Sequence, residues 1–229
     1  MNILAIDSST SLLSVCLKTA KGRSEALLDV GLTHAETIIA LVDFCVAKAG
    51  LARSDIDLVA CAEGPGSFTG LRIGMATVKG IAGGLGKPWV AVPTLDCLAW
   101  GLEDFPGAVV PVIDARKGRL YAAIYLRGER QGDWLDVTLE NLAGLLDRYP
   151  SSFVTGPDAA MLEALSTEHS GIRLDPRAGS GAARALSILA EARYSAQGGF
   201  PDSAGPLYLR PSEAEEAAAN KDGGDKKTA

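Results

Sequence analysis

The feature that most constrains the fold of this chain is a glycine-rich turn at residues 63–74, which read EGPGSFTGLRIG. Before the turn, residues 58–62 form a short apolar run with the length and composition of a buried strand. After it, residues 75–86 are largely apolar and contain no proline, which is typical of a helix. The sequence therefore predicts a strand, a tight glycine turn and a helix in direct succession.

Two uses of such a turn are open. Backbone N–H groups at the start of a helix are unpaired and carry partial positive charge, so they can hold an anion such as phosphate. The known phosphate signatures do not fit, because Gly70 is followed by Leu71 where a P-loop needs lysine, and Gly70 comes one residue too late for the dinucleotide fingerprint. The spacing alone favours the alternative, in which the glycines let helix and strand approach closely.

Residues 64–74 resemble the signature of the TsaB (YeaZ) family, a bacterial component of the machinery that makes threonylcarbamoyladenosine in tRNA. The resemblance covers residues 1–130 approximately and returns at Tyr208-Leu209-Arg210, which is similar to the C-terminal motif of the family. It implies an α/β fold with two lobes, the actin-like ATPase fold of acetate and sugar kinases, related to ribonuclease H. Each lobe would be a β-meander plus helices.

A weak internal repeat also predicts two lobes. Residues 112–114 (VID) echo residues 5–7 (AID), and the alternating apolar residues at 120–124 echo those at 13–17 with the same offset. We therefore expect a strand, an aspartate at its end, a polar turn and a returning strand to occur twice.

The predicted domain boundaries follow from this repeat and from composition. Residues 1–107 would form the N-terminal lobe, with the glycine turn and the dimerisation helices, and residues 108–211 the C-terminal lobe. Residues 212–229 contain no large apolar side chain and are expected to be a disordered tail.

Charge and cysteine usage limit the class of protein. A net charge of −6 argues against a chain that grips nucleic acid alone, because phosphate contacts need a clustered cationic surface. The four cysteines are scattered without a C-x-x-C pair, which favours buried thiols in a reducing compartment over a zinc site. We see no signal peptide and no apolar run long enough for a membrane span, so we expect a cytoplasmic protein.

The residues of a catalytic centre are largely missing. The two histidines, His34 and His169, indicate no Ser-His-Asp triad. The catalytic TsaD paralogue of the resembled family holds a metal through His-x3-His on its first long helix. The matching helix here has His34 but Ile38 at the second position, and isoleucine cannot ligate a metal. We therefore expect no metal and no catalytic residue.

A nucleotide or anion contact is the remaining chemistry to consider. In actin-like ATPases, acidic residues at two strand ends hold a metal and position the attacking water. Asp7 and Asp114 are at the corresponding strand ends of this chain. The candidate contacts in this chain are Asp7, Gly66, Ser67, Thr69 and Arg72. The alternative for Asp7, slightly favoured, is an acid that ends a strand and bonds the amides of the next turn. We expect no cofactor on the chain alone; ATP or ADP at the boundary of a heterodimer is the open alternative.

Two helices carry the candidate partner interface. On the helix after the glycine turn, Ala76, Gly80 and Gly84 form a stripe with almost no side chain, which would let another helix approach closely. The helix at residues 34–49 is apolar on more than one face. The candidates on that helix are His34, Ile38 and Val42. Spacing alone does not separate packing inside the chain from contact with another subunit, whereas the resemblance implies a dimer surface.

The resemblance implies an accessory function. The chain would be a non-catalytic scaffold that pairs with a TsaD-type catalytic subunit, joined by a TsaE-type ATPase, in threonylcarbamoyl transfer to the adenosine beside the anticodon of tRNA. It would meet tRNA only through the complex, it would not bind membranes, and a homodimer in isolation is left open. The alternative is a small-molecule kinase or ATPase that uses Asp7 and the turn at 64–70. A glycoprotease-type peptidase is less favoured, because a nucleophile with its base is missing.

Overall fold

The computed structural model describes residues 1–29, 31, 33–177 and 179–211. The first part of the chain builds a five-stranded sheet in the order β3-β2-β1-β4-β5. Its strands are β1 (Ile3–Asp7), β2 (Leu12–Thr19), β3 (Gly22–Asp29), β4 (Leu58–Gly64) and β5 (Trp89–Pro93). The first three strands form an antiparallel meander, as predicted, and β4 and β5 continue the sheet in parallel with β1.

The second sheet repeats this beginning. The path β10-β7-β6-β11-β12 is extended by a short hairpin, β8–β9, which pairs with the start of β6. Its strands are β6 (Ala108–Arg116), β7 (Arg119–Ala122), β8 (Tyr125–Leu126), β9 (Glu129–Arg130), β10 (Leu135–Thr138), β11 (Ser152–Thr155) and β12 (Ile172–Leu174). The predicted repeat is present as a second antiparallel hairpin, β6–β7, but the register of its two strands differs from that of β1 and β2. Asp7 lies opposite Ser14, whereas Asp114 lies opposite Leu120 instead of Tyr121, since β6 contains a bulge after Asp114.

Six α-helices cover the two sheets within the described part of the chain. They are α1 (His34–Ala49), α2 (Phe68–Leu85), α3 (Thr94–Ala99), α4 (Leu139–Leu146), α5 (Glu163–Glu168) and α6 (Ala183–Gln197). Each of these helices is too short or too polar to cross a bilayer.

Most of the first sheet is buried on both faces, whereas its edge strand β3 is largely exposed. Leu4 and Ile6 of β1 pack with α1 and α2, whereas Ile3 and Ala5 point to the opposite face and pack with α6. This alternation explains why β1 is apolar at every position before Asp7, because neither face meets water.

Helix α6 crosses back from the second half of the chain to the first sheet. Its alanines lie close against β1, and the amide of Ala183 donates to Ser14 Oγ at 3.1 Å. Lys18 of β2 and Glu191 of α6 form an ion pair at 2.5 Å. By packing, α6 therefore belongs to the first sheet, although the lobe predicted at residues 108–211 includes it. The predicted tail at 212–229 lies outside the described residues.

Candidate functional site

The glycine turn joins the carboxyl end of β4 to the start of α2, as the sequence predicts. Gly64 has a φ of +114°, which only glycine adopts readily, and the Gly64–Pro65 peptide bond is cis. Ser67 caps α2, because its Oγ accepts a hydrogen bond from the amide of Gly70 at 3.3 Å. The turn thus starts the helix with its own side chain.

The turn packs tightly against the loop that follows β1. The amide of Ser67 donates to Ser9 O at 2.7 Å, and Ser8 Oγ donates to Gly70 O at 2.9 Å. A Cβ atom added at Gly66 would overlap Ser9 O, and one added at Gly70 would overlap Ser8 O. Two amides of the predicted anion cradle, those of Ser67 and Gly70, are therefore engaged within the chain. This geometry favours close packing over phosphate binding as the role of the glycines.

Asp7 lies beneath this contact and is only 3% exposed. Its Oδ1 accepts hydrogen bonds from the amide of Ser9 at 3.0 Å and from Ser9 Oγ at 2.6 Å. Burial raises the pKa of the Asp7 carboxyl, although the two bonds from Ser9 act in the opposite direction. The carboxyl group of Asp7 thus accepts the hydrogen bonds of the turn that follows its own strand, and it is buried instead of facing an open cleft.

Arg72 and Thr69 lie on the exposed side of α2. The Arg72 guanidinium stacks on Phe68, with its carbon 3.9 Å from the ring centroid, and its Nε donates to Tyr208 Oη at 3.0 Å. The rings of Phe68 and Tyr208 stack with centroids 4.8 Å apart. Arg72, which was predicted to bind an anion, thus contacts Phe68 and Tyr208 instead. Thr69 is not part of this stack.

We call residues 198–211 the C-terminal strap, because they run from the first sheet to the second. The amide of Phe200 donates to Trp89 O at 2.8 Å, and that of Leu207 donates to Glu63 O at 2.7 Å. Beyond them, Leu209 packs into the core of the second sheet, and Arg210 donates to Ala115 O at 2.8 Å. The sequence marked residues 208–210 by their motif alone and missed the partners on β4, β5 and α2.

The interface residues predicted on α1 need a correction. His34 is fully buried, with Nε2 2.8 Å from Thr10 O, and Ile38 and Val42 are 2% and 3% exposed. These three side chains face the core of the first sheet, and only Val42 reaches the floor of a surface groove. The large apolar residues that α1 does expose are Ile39 at 48% and Phe44 at 47%. An apolar helix has no sequence signal that separates its inner face from its outer one.

The small-residue stripe on α2 is on the surface. Ala76, Gly80 and Gly84 are exposed, and a Cβ atom added at Gly80 or Gly84 would meet nothing within 4 Å. Among the described residues, the stripe therefore does not serve contact between helices.

Between α1 and α2 lies a groove of about 280 Å³. Its apolar lining includes Ile39, Ile56, Ile81 and Leu85, and Gly80 and Gly84 belong to the same lining. We call this surface the α1–α2 face. It brings together three of the predicted interface residues, Val42, Gly80 and Gly84.

Comparison with known proteins identifies the type of chain to which this arrangement belongs. A family model described as "TsaD: tRNA N6-adenosine threonylcarbamoyltransferase" matches residues 29–170, more than half of the chain. The solved structure of YeaZ from Pseudomonas aeruginosa superposes with a TM-score of 0.73 at 28% identity, and the match covers 91% of this chain and 99% of that one. The chain belongs to the TsaB (YeaZ) family. The predicted α/β fold, with two sheets and helices packed on them, is likewise confirmed.

The curated relatives match between half and three fifths of the chain. The Escherichia coli K12 protein named "tRNA threonylcarbamoyladenosine biosynthesis protein TsaB" is 39% identical over 137 residues, which are 58% of each chain. The Bacillus subtilis protein of the same name is 33% identical over 126 residues, 55% of each chain. The chain thus matches less than two thirds of the length of these two relatives.

Proposed function

We propose that this chain is an accessory subunit in the biosynthesis of threonylcarbamoyladenosine in tRNA, and that it pairs with a TsaD-type catalytic subunit through the α1–α2 face. The names of the E. coli and B. subtilis relatives support the pathway. The observation that carries the pairing is the bare stripe at Gly80 and Gly84, which shares a surface groove with exposed Ile39. Exposed apolar surface that is rimmed by polar residues often marks a site of contact between proteins.

The composition of the face suits a helix of a partner. Gly80 and Gly84 lie one turn apart on α2, so the backbone of an opposing helix can approach without meeting side chains. Ile39, which is 48% exposed, lines the same groove and supplies a large apolar side chain that a partner can bury. At the edge, Asp43 and Arg53 form an exposed ion pair at 2.6 Å, which gives the apolar centre a polar rim.

The chain's own polar residues support a scaffold over a kinase or ATPase. In the kinase alternative, Asp7 would anchor a metal and the turn at 64–70 would hold a phosphate. Asp7 is instead 3% exposed and bonded to Ser9, and Gly66 and Gly70 are packed on the 8–10 loop. Chemistry would therefore belong to the partner subunit, and this chain would supply a rigid surface.

The remaining members of the complex follow from this proposal. A TsaE-type ATPase would join the two paired subunits, and ATP or ADP would be bound at their boundary instead of in the glycine turn of this chain. The transfer of the threonylcarbamoyl group to adenosine would be catalysed by the TsaD-type subunit. The chain carries a net charge of −6, so tRNA would be held through the assembled complex.

The pairing is tested by Gly80→Leu. Leucine is a better helix former than glycine by about 0.8 kcal/mol and has open space at this position, so the variant is expected to fold. Its side chain would fill the strip that the partner helix needs, and we expect the Kd for the TsaD-type subunit to rise by about tenfold or more, equivalent to ~1.4 kcal/mol. Light scattering and calorimetric titration of the mixture, with and without ATP, measure the change.

Gly144→Leu is the matched control. Gly144 is an exposed glycine within α4, also with nothing within 4 Å of an added Cβ atom, but it lies on the second sheet. This variant should pair like the unmodified chain. Unchanged pairing of Gly80→Leu would show that the α1–α2 face is not the interface, and absence of any complex with the unmodified chain would contradict the scaffold itself.

A further inference from the structure

A second cavity lies away from the α1–α2 face, where α3 and α6 meet the β8–β9 hairpin. It has a volume of about 340 Å³, within the usual range for small-molecule pockets. The wall from the first half of the chain contains Asp96, Trp100 and Glu103, and that from the hairpin contains Tyr125 and Arg130. Neither Asp96 nor Arg130 belongs to the glycine turn or to the predicted interface.

The two carboxylates are held in place by the chain. Tyr125 Oη donates a hydrogen bond to Asp96 Oδ1, and burial of the Tyr125 phenol raises its pKa, which keeps the proton on the donor. The amide of Gly101 donates to Glu103 Oε1 at 2.9 Å. Within the described residues, no hydrogen bond is made to the second oxygen of either carboxylate. Each carboxylate is therefore oriented through one oxygen, and its other oxygen is left for a ligand of the cavity that it lines.

Arg130 supplies the opposite charge without neutralising these carboxylates. Its guanidinium lies flat over Trp134, with the guanidinium carbon 3.9 Å from the ring centroid. In the part of the chain that the structure describes, no carboxylate lies within 4 Å of it. An arginine beside two carboxylates in one cavity would ordinarily pair with them, and stacking on Trp134 holds this one apart. The cavity thus contains separated positive and negative groups.

The lining of the cavity also has an apolar part, which includes Trp100 and Leu189. The indole of Trp100 lines the cavity and is covered on one side by Arg184, whose guanidinium carbon is 5.9 Å from the ring centroid. Leu189 of α6 continues this surface. A ligand that is complementary to this lining therefore carries a positively charged group, a negatively charged group and an apolar group.

We propose that this cavity binds a small zwitterion, namely a free α-amino acid with an apolar or aromatic side chain. The ammonium group would bind the open oxygens of Asp96 and Glu103, the carboxylate would bind Arg130, and the side chain would lie on Trp100 and Leu189. Blocking either charged end removes one charge-assisted interaction, which is the property that a test can use.

The test uses the full chain and three probes: phenylalanine, N-acetylphenylalanine and phenylalanine amide. Titration followed by calorimetry and by protein NMR should show saturable binding of phenylalanine, and each blocked form should bind at least about tenfold more weakly, as expected for the loss of a hydrogen bond between charged groups. Arg130→Gln should remove the preference for a free carboxylate, and Asp96→Asn the preference for a free ammonium.

Two variants serve as matched controls. Arg148→Gln removes an exposed arginine, and Asp104→Asn an exposed aspartate, neither of which lines the cavity. Both should bind phenylalanine like the unmodified chain. The proposal is overturned if phenylalanine shows no saturation up to about 10 mM, if the three probes bind alike, or if Arg130→Gln behaves as Arg148→Gln does.

Discussion

At the scale of single residues, the most restrictive positions are the glycines that touch the loop after β1. The space that a side chain would need at Gly70 is occupied by the carbonyl of Ser8, which is backbone and cannot rotate away. Excess volume in a packed site commonly costs 1–3 kcal/mol. We predict that Gly70→Ala destabilises the chain by about 2 kcal/mol in urea unfolding.

Gly83→Ala provides the comparison for that measurement. Gly83 also lies in α2, but an added Cβ atom meets nothing within 4 Å, so alanine should stabilise the helix by about 0.5–1 kcal/mol. Equal stability of the two variants would contradict the close packing of the turn on Ser8.

Asp7 gives a prediction about pH. Burial raises its pKa in the folded state, so the favourable contribution of the neutral carboxyl is fully present below the pKa of the unfolded chain, near 4, and is lost as pH rises through the folded pKa. Asparagine can still accept the bonds from Ser9 and has no charge to bury. We predict that Asp7→Asn becomes progressively more stable relative to the unmodified chain as pH rises from about 4 to about 7.

The measurement is urea unfolding of both proteins across this pH range. Asp133→Asn, at an exposed position, is the matched control and should show no such trend. A stability difference for Asp7→Asn that stays constant with pH, or that moves in the opposite direction, would show that the carboxylate of Asp7 is not penalised by burial.

The sequence revealed the glycines but not their partners. The need for glycine at a strand-to-helix turn is local, so residues 63–74 could be interpreted from their own order. Ser8 and Ser9 lie about sixty residues earlier in the chain, and their contact with Gly66 and Gly70 depends on the parallel pairing of β1 with β4. Without that pairing, the same turn was compatible with an anion site.

At the scale of elements, the strands and helices were largely predictable and their faces were not. The meander β1–β3, the helix after the turn and the second hairpin follow from alternation and from breaks at glycine. On α1, Ile38 and Ile39 are adjacent and equally apolar, yet one is buried and the other is 48% exposed. Only the position of the sheet beneath the helix decides between them.

Helix α6 shows the same limit for a whole element. Its sequence is rich in alanine, which predicts a helix that can lie close to a neighbour but not which neighbour that is. Chain order placed it with residues 108–211, while the first sheet offered the uncovered apolar face. Burial of that face determines the position of α6, and sequence order does not.

At the scale of the molecule, the C-terminal strap connects the two sheets after α6 has returned to the first. Its best-defined anchor is Tyr208, which stacks on Phe68 and accepts a hydrogen bond from Arg72. We predict that Tyr208→Ala releases the strap while the rest of the chain stays folded. The exchange rate of the Leu207 amide, which donates to Glu63 O, should rise by about tenfold or more in hydrogen-exchange mass spectrometry.

Tyr208→Phe is the control for the hydroxyl group, because it keeps the ring stack and loses only the bond to Arg72. It should raise exchange at Leu207 less than alanine does. If the alanine variant exchanges like the unmodified chain, Tyr208 does not anchor the strap.

The return of α6 also has a consequence for the order in which the chain is made. When a ribosome has completed residue 107, all five strands of the first sheet exist, and α1 and α2 can cover one side of it. The other side, with Ile3, Ala5 and Val90, is covered only by the short helix α3 until residues 183–197 emerge. The first sheet is therefore synthesised early but is fully covered only late in synthesis. Until α6 packs on it, the apolar side that α6 covers must be kept from associating with other nascent chains.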